Sequence, residues 1–249
     1  MPESQKAIVI GSSSGIGRSV ALALARNGWD VLVHGYHKKQ ATEELAAEIQ
    51  ALGQRSEPLL ANLAEPAEIR RLVQDAWAMW GGLDAWLHLA GADILTGDAR
   101  HASFDEKLQQ LWQVDVMSTV SACRMVGQQM KAQGHGAIVT MGWDQAETGM
   151  EGDSGELFAA TKGAVMAFTR SLSLSLSPEV RVNCVAPGWI KTAWGDHAPD
   201  VWQQRVLRET PLNRWGLPED IAAACQFLVS PEAGFISGQI VRVNGGAVR

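Results

Sequence analysis

Residues 7–27 read Ala7-Ile8-Val9-Ile10-Gly11-Ser12-Ser13-Ser14-Gly15-Ile16-Gly17-Arg18-Ser19-Val20-Ala21-Leu22-Ala23-Leu24-Ala25-Arg26-Asn27. A β-branched run enters a glycine-rich turn and leaves it as a segment of helical period. Gly11, Gly15 and Gly17 permit a tight turn and close approach to the backbone, while the helix start offers free N–H groups and a partial positive charge. A glycine triplet alone is weak evidence. Placed after the first strand of an alternating chain, this one predicts a dinucleotide-shaped pocket that cradles a pyrophosphate.

Working outward, strands are expected at 7–10, 30–34, 56–60, 85–89, 137–141, 181–185 and 239–243. Helices are expected at 16–27, 40–52, 66–80, 104–132, 156–176 and 218–229, with Pro66 and Pro218 at first-turn positions. Alternation of this kind builds βα units around a parallel sheet. Two weakly patterned stretches, 143–155 and 189–217, are long enough to be functional loops.

Composition narrows the function. The 249 residues carry a formal net charge of -6 with scattered basic residues, so no cationic stripe for nucleic acid is present. No apolar run approaches the roughly 20 residues that cross a bilayer, and residues 1–10 carry no apolar signal core, so neither nucleic acid nor membrane is an expected partner and the expected compartment is the cytoplasm. Cys123, Cys184 and Cys225 lie far apart and read as small buried residues, and the carboxylates and histidines lack metal-ligand spacing; no metal is expected. One domain spanning 1–249 is expected. Ten Trp accompany a single tyrosine, so phenol chemistry can only use Tyr36.

Beyond Gly11 to Gly17, further segments are His88-Leu89-Ala90-Gly91, Lys162 on a helix, Val185-Ala186-Pro187-Gly188-Trp189-Ile190-Lys191-Thr192, Pro211-Leu212-Asn213-Arg214, Ser237-Gly238 and Val243-Asn244-Gly245-Gly246. Together they resemble the short-chain dehydrogenase/reductase family, in particular 3-oxoacyl-ACP reductase-like members, over nearly the whole chain. The resemblance implies an α/β fold, a Rossmann-type doubly wound parallel sheet of seven strands flanked by helices. It also implies a bound NAD or NADP, a homodimer or homotetramer formed on helix 104–132 and the helix from Glu156, and a substrate-covering loop at 189–217. Carried onto this sequence, it assigns cofactor contacts to Gly11, Ser13, Ser14, Gly15, Ile16, Gly17, Tyr36, His37, Asn62, Leu63, Ala90, Gly91, Lys162, Pro187, Gly188, Ile190 and Thr192.

The end of the second strand reads His34-Gly35-Tyr36-His37-Lys38-Lys39. A carboxylate there would bond the ribose 2′-hydroxyl and repel a 2′-phosphate. None is present and cationic groups are, so NADP is favoured over NAD. Asn62 and Leu63 stand where the family usually has an Asp beside the adenine, Ile10 where a Thr precedes the first glycine, and Leu89 where an Asn is usual.

The family mechanism needs a Tyr four residues before the Lys, a Ser about a dozen residues earlier and an Asn on another helix. Here the positions hold Phe158, Trp143 and Asp115, and only Lys162 remains. No tyrosine lies beyond Gly91, so no register restores the phenol. Loss of a positioned acid forfeits roughly 10²- to 10⁴-fold in rate. Thr140, Thr148 and Ser154 are poor acids unassisted, and Asp153 with Glu156 resembles a capping box.

The stretch 143–155 with Glu156 contains five carboxylates. A carboxyl desolvated beside Trp143 gains a raised pKa and can act as acid or base; Asp144 is the first candidate and Asp115 the second, against a solvated acidic loop. Trp189, Trp194, Trp202 and Trp215 cluster after Gly188. With Trp143 and Phe158 they suit an aromatic or apolar small-molecule ligand, or equally a packed lid or interface. Three functions follow: an oxidoreductase acting on a carbonyl or alcohol with a non-standard catalytic set, a cofactor-binding pseudoenzyme serving as sensor or partner subunit, or a non-redox lyase or isomerase.

Overall fold

A computed structural model describes residues 4–248. Seven strands, β1 Lys6–Ile10, β2 Asp30–Gly35, β3 Pro58–Leu60, β4 Ala85–His88, β5 Gly136–Met141, β6 Val180–Pro187 and β7 Ile240–Val243, form one sheet in the order β3-β2-β1-β4-β5-β6-β7. Every pairing is parallel. The strand order reverses between β1 and β4, and the crevice beyond the carboxyl ends of these two strands is where such sheets hold ligands.

Strand side chains alternate between two apolar layers. Ala7, Val9, Val31, Val33, Leu87 and Val139 face α1 (Gly15–Arg26), α2 (Lys39–Ala51) and α9 (Pro218–Val229). Ile8, Ile10, Leu32, Trp86, Ile138 and Val182 face α3 (Pro66–Trp80), α5 (Ser118–Gln133) and α6 (Asp153–Leu176). Burial on both faces explains why the strands read as continuous apolar runs.

The expected helix 104–132 is broken. Ser103 and Glu106 close a capping box over α4 (Phe104–Leu111), and a π-turn at Trp112–Met117 precedes α5. The wide turn swings Asp115 inward, where it is buried, and π-bulges of this kind recur at functional sites. The Asp153–Glu156 capping box does not form. α6 starts at Asp153 after Gly152, whose φ of 88° only glycine adopts readily, and no side chain caps it. The stretch 189–217 contains two helices, α7 (Ala193–His197) and α8 (Asp200–Glu209). Among the described residues no helix is long and apolar enough to cross a membrane.

Two buried histidines, His34 and His88, are neutral structural groups. His34 is buried, accepts at Nδ1 from Gly11 N (3.2 Å) and points Nε2 at Ala61 O (3.1 Å), which fixes the Nε2–H tautomer. Burial lowers its pKa to about 4. His88 lies at 2.9 Å from Ser118 Oγ and accepts from Trp86 Nε1; burial lowers it to about 3. Between roughly pH 6.5 and 4 the unfolded chain takes up protons here that the folded chain refuses, so stability falls as pH drops. At about 1.4 kcal/mol per unit the loss at His34 is on the order of 3 kcal/mol by pH 4. Tm measured from pH 7.5 to 4.5 is expected to fall steadily, and less steeply in His34→Gln; a flat profile would contradict the assignment.

Candidate functional site

The glycine turn is shaped for close backbone approach. A Cβ at Gly11, whose φ is +83°, would stand 2.6 Å from Ala90 Cα, and one at Gly17 would stand 2.2 Å from Gly11 O. The turn is therefore locked onto the segment just beyond β4 and onto itself. Ser14 is the N-cap of α1, yet no side chain caps the helix and no acidic residue lies in its first turn. Those free N–H groups and the unopposed helix dipole suit a diphosphate.

Ser12, which the motif reading passed over, wires the turn to β2. Its Oγ accepts from His34 N (2.8 Å) and faces His34 O at 3.3 Å, while its own N–H donates to His34 O (3.0 Å). Only the serine run hinted at it. Ser13 is partly buried on the same turn.

At the end of β2, Tyr36, His37, Lys38 and Lys39 are exposed, and the Tyr36 and His37 rings lie 3.7 Å apart. Lys38 Nζ donates to Ser14 Oγ at 3.3 Å, suspending an ammonium over the glycine turn. Lys39 instead pairs with Glu43 at 3.7 Å. Asn62 Oδ1 accepts from Ala64 N (3.0 Å), and the Leu63 side chain is buried in the second apolar layer, so only its backbone is available to a ligand.

The opposite end carries the substitutions. Phe158 and Lys162 lie one turn apart on α6, hence on one face. Trp143 meets Phe158 edge-on, with ring centroids 6.1 Å apart at 61°, and both are half-buried. Phe158 also packs against Ile94, Leu111 and Leu157. Asp115, arriving on the π-turn, places Oδ2 at 2.7 Å from Lys162 Nζ, and its Oδ1 accepts from Ala92 N at 2.8 Å. Both side chains are almost wholly buried, 11% and 1% exposed. Gly91 packs against this carboxylate.

Asp144 has no exposed surface. Burial pushes its pKa up to about 6 against a hydrogen bond from Asn244 Nδ2 (3.1 Å), and its Oδ1 is unpartnered among the described residues. It sits under Gly188 and grips the segment after β7, facing away from solvent. The neighbouring hydroxyls are committed: Thr140 Oγ1 to Thr169 Oγ1 at 2.7 Å, and Thr161 Oγ1 to Leu157 O at 2.9 Å.

Beyond buried Pro187, Gly188 N donates to Val243 O, Ile190 pairs with Gly216, and Thr192 caps α7. Thr192 Cγ2 would lie 3.7 Å from a Cβ on Gly15, so this segment begins beside the glycine turn, where partly buried Ile16 lies in the first turn of α1. Trp189 packs on Trp202 (5.5 Å) and Trp215 (6.4 Å) around Val206. These rings form a small apolar core of the segment after β6. The Trp194 side chain lies outside the described residues. Arg205 of α8 binds Glu151 (2.8 Å) and Glu209 (2.7 Å) and covers Trp202, tying α8 to the acidic loop. Sequence spacing held no signal for that contact.

Residues 10–248 match a family model described as Enoyl-(Acyl carrier protein) reductase. The 3-oxoacyl-[acyl-carrier-protein] reductase FabG of Staphylococcus aureus (strain Mu50 / ATCC 700699) is 32% identical over 250 residues, covering 99% of each chain. A 7 alpha-hydroxysteroid dehydrogenase solved with NADH and 7-oxo glycochenodeoxycholic acid superposes with a TM-score of 0.88 at 29% identity, covering 98% of this chain and 94% of that one. A blue fluorescent protein from a metagenomic library, solved with NADPH, also gives 0.88, at 27% identity and 98% coverage of both. The glycine turn, the strand order and these likenesses agree: the chain belongs to the short-chain dehydrogenase/reductase family and resembles its 3-oxoacyl-[acyl-carrier-protein] reductases.

Proposed function

We propose that this protein is an NAD(P)-dependent oxidoreductase that exchanges hydride with a small molecule at a polarised double bond, in the family's ordinary form a carbonyl and its alcohol. The observation that carries the reading is the retained cradle, with Gly11 and Gly17 closed against backbone and an uncapped α1, joined to a retained Lys162. The dinucleotide would supply the hydride. Gly11, Ser13, Ser14, Gly15, Ile16 and Gly17 hold its diphosphate. Tyr36, His37, Asn62, Leu63, Ala90 and Gly91 surround the adenosine half, and Pro187, Gly188, Ile190 and Thr192 the nicotinamide half. Lys162 meets the ribose.

The catalytic set is non-standard. Lys162 and Asp115 form its centre, because their pair is the titratable group that borders Phe158; Asp144, wholly buried, positions the segment at Asn244. Trp143 and Phe158 line the substrate side; Trp189 and Trp194 belong to the covering loop. Exposed Phe104, Trp112 and Met117 support pairing with a second copy in a dimer or tetramer, and we place the protein in the cytoplasm.

Fluorescence titration with NADPH and NADH, followed by a turnover screen at the nicotinamide absorbance band, tests the reading. Absence of binding defeats it. Binding without turnover across a broad panel favours the second reading, a cofactor-binding pseudoenzyme, which the loss of Tyr and Ser supports; conversion without absorbance change favours a lyase or isomerase.

Lys38 sets the cofactor. Its ammonium at the glycine turn suits a 2′-phosphate, and an exposed ion pair of this kind contributes about 1 kcal/mol, more where phosphate adds charge. Lys38→Ala is expected to weaken NADPH about tenfold and leave NADH within about twofold. Equal losses for both would remove Lys38 from the specificity argument.

A further inference from the structure

Reduction of a carbonyl produces an alkoxide that must gain a proton as it forms, and the phenol and serine hydroxyl that would serve it are both replaced here. Phe158 has replaced the phenol, Trp143 offers only an indole N–H, and the hydroxyls of Thr140 and Thr161 are spent on internal bonds. The ammonium of Lys162 remains, engaged with buried Asp115 Oδ2 at 2.7 Å.

The same substitutions suit a substrate that arrives with a positive charge. An unpaired Lys162 would repel such a ligand. With Asp115 Oδ2 at 2.7 Å the pair is neutral overall, and the repulsion falls away. Trp143 and Phe158 present half-buried aromatic faces, and aromatic faces attract cations, most strongly when partly desolvated. The acidic loop adds to this: Asp153 and Glu156 have no ion-pair partner among the described residues, while Glu147 and Glu151 are paired with arginines.

We propose that the site reduces a carbon–nitrogen double bond in its cationic iminium form, on a cyclic amine with an aromatic or apolar body held by Trp143 and Phe158. This rests on the oxidoreductase reading above. The step balances without a catalytic acid. A C–H bond of the reduced nicotinamide dinucleotide breaks, and the hydrogen forms a new C–H bond at the iminium carbon with its electron pair. The C=N π pair moves onto nitrogen as a lone pair. The substrate's positive charge passes to the oxidised cofactor, and the neutral amine takes a proton from solvent after release.

The test uses the full chain with NADPH and three matched probes: 3,4-dihydroisoquinoline, its N-methyl iminium salt and the ketone 1-tetralone. Both nitrogen compounds are expected to turn over, above the enzyme-free rate, at least about 100-fold faster than the ketone, in line with the loss of acid catalysis. The N-methyl salt, which cannot lose its charge, should keep its rate between pH 6 and about pH 9, while the dihydroisoquinoline slows as it deprotonates. Faster ketone reduction overturns the proposal.

A second readout needs no turnover. Calorimetry on the NADPH complex, whose nicotinamide ring is uncharged, should show N,N-dimethyl-tetrahydroisoquinolinium, which cannot be reduced, binding more tightly than neutral tetralin. Trp143→Ser should weaken the cation about tenfold and tetralin far less. Asp115→Asn, checked by thermal melting to be folded, should weaken the cation selectively. NADPH binding with neither iminium turnover nor cation binding defeats this proposal alone. Absence of NADPH binding defeats the oxidoreductase reading with it.

Discussion

Lys162→Met is expected to destabilise the protein by about 3–5 kcal/mol, because it removes the charged partner of a carboxyl group that is 1% exposed. Asp115 would keep one partner, the Ala92 N–H at 2.8 Å, and lose the other. Asp115→Asn is expected to cost less. Its amide oxygen still accepts from Ala92, and the stranded ammonium lies on the more exposed side chain of the pair. The double variant Asp115→Asn/Lys162→Met removes both charges and should recover most of the loss, since a neutral buried pair carries no uncompensated ion. Urea unfolding of the four proteins closes the cycle. A double variant no more stable than Lys162→Met would show that the two charges are not coupled.

The pair also marks where sequence reasoning stopped. The glycine turn was legible because its three glycines serve a local turn whose neighbours are adjacent in the chain. The spacing of Phe158 and Lys162 was legible because a helix converts four residues into one face. Asp115 could be aligned to the family's Asn, but its contact with Lys162 depends on the π-turn at Trp112–Met117, and a run read as one continuous helix conceals such a turn. His34 could be placed at the end of the second strand, just before the run His37-Lys38-Lys39. Its neutrality comes from burial between Gly11 and Ala61, a tertiary property without a local signal. The Asp153 capping box failed because Gly152 supplied a cheaper backbone stop one residue earlier. The tryptophans after Gly188 were visible as a cluster; that Trp189 meets both Trp202 of α8 and Trp215 is a tertiary contact between residues distant in the chain.

Gly17→Ala sets two effects of opposite sign against each other, and their sizes decide the outcome. Gly17 lies in the first turn of α1, outside the left-handed region, so alanine gains about 1 kcal/mol of helix propensity there. Against that, the new methyl would stand 2.2 Å from Gly11 O and 2.8 Å from Gly11 C. Backbone atoms have no rotamer to escape into, and Gly11 is itself pinned against Ala90. The turn must open, at a cost of about 1–3 kcal/mol or more, and the cost wins. Opening moves the N–H groups that face the diphosphate, so NADPH affinity is expected to fall about 100-fold, equivalent to about 2.7 kcal/mol of binding. Gly15→Ala supplies the control. Its methyl would meet only Thr192 Cγ2 at an ordinary 3.7 Å, so the loss there comes from its φ of +54°, about 1–2 kcal/mol, without displacement of the turn. Fluorescence titration with NADPH and thermal melting of both variants separate the two causes. Native NADPH affinity in Gly17→Ala would mean that the turn does not hold the diphosphate.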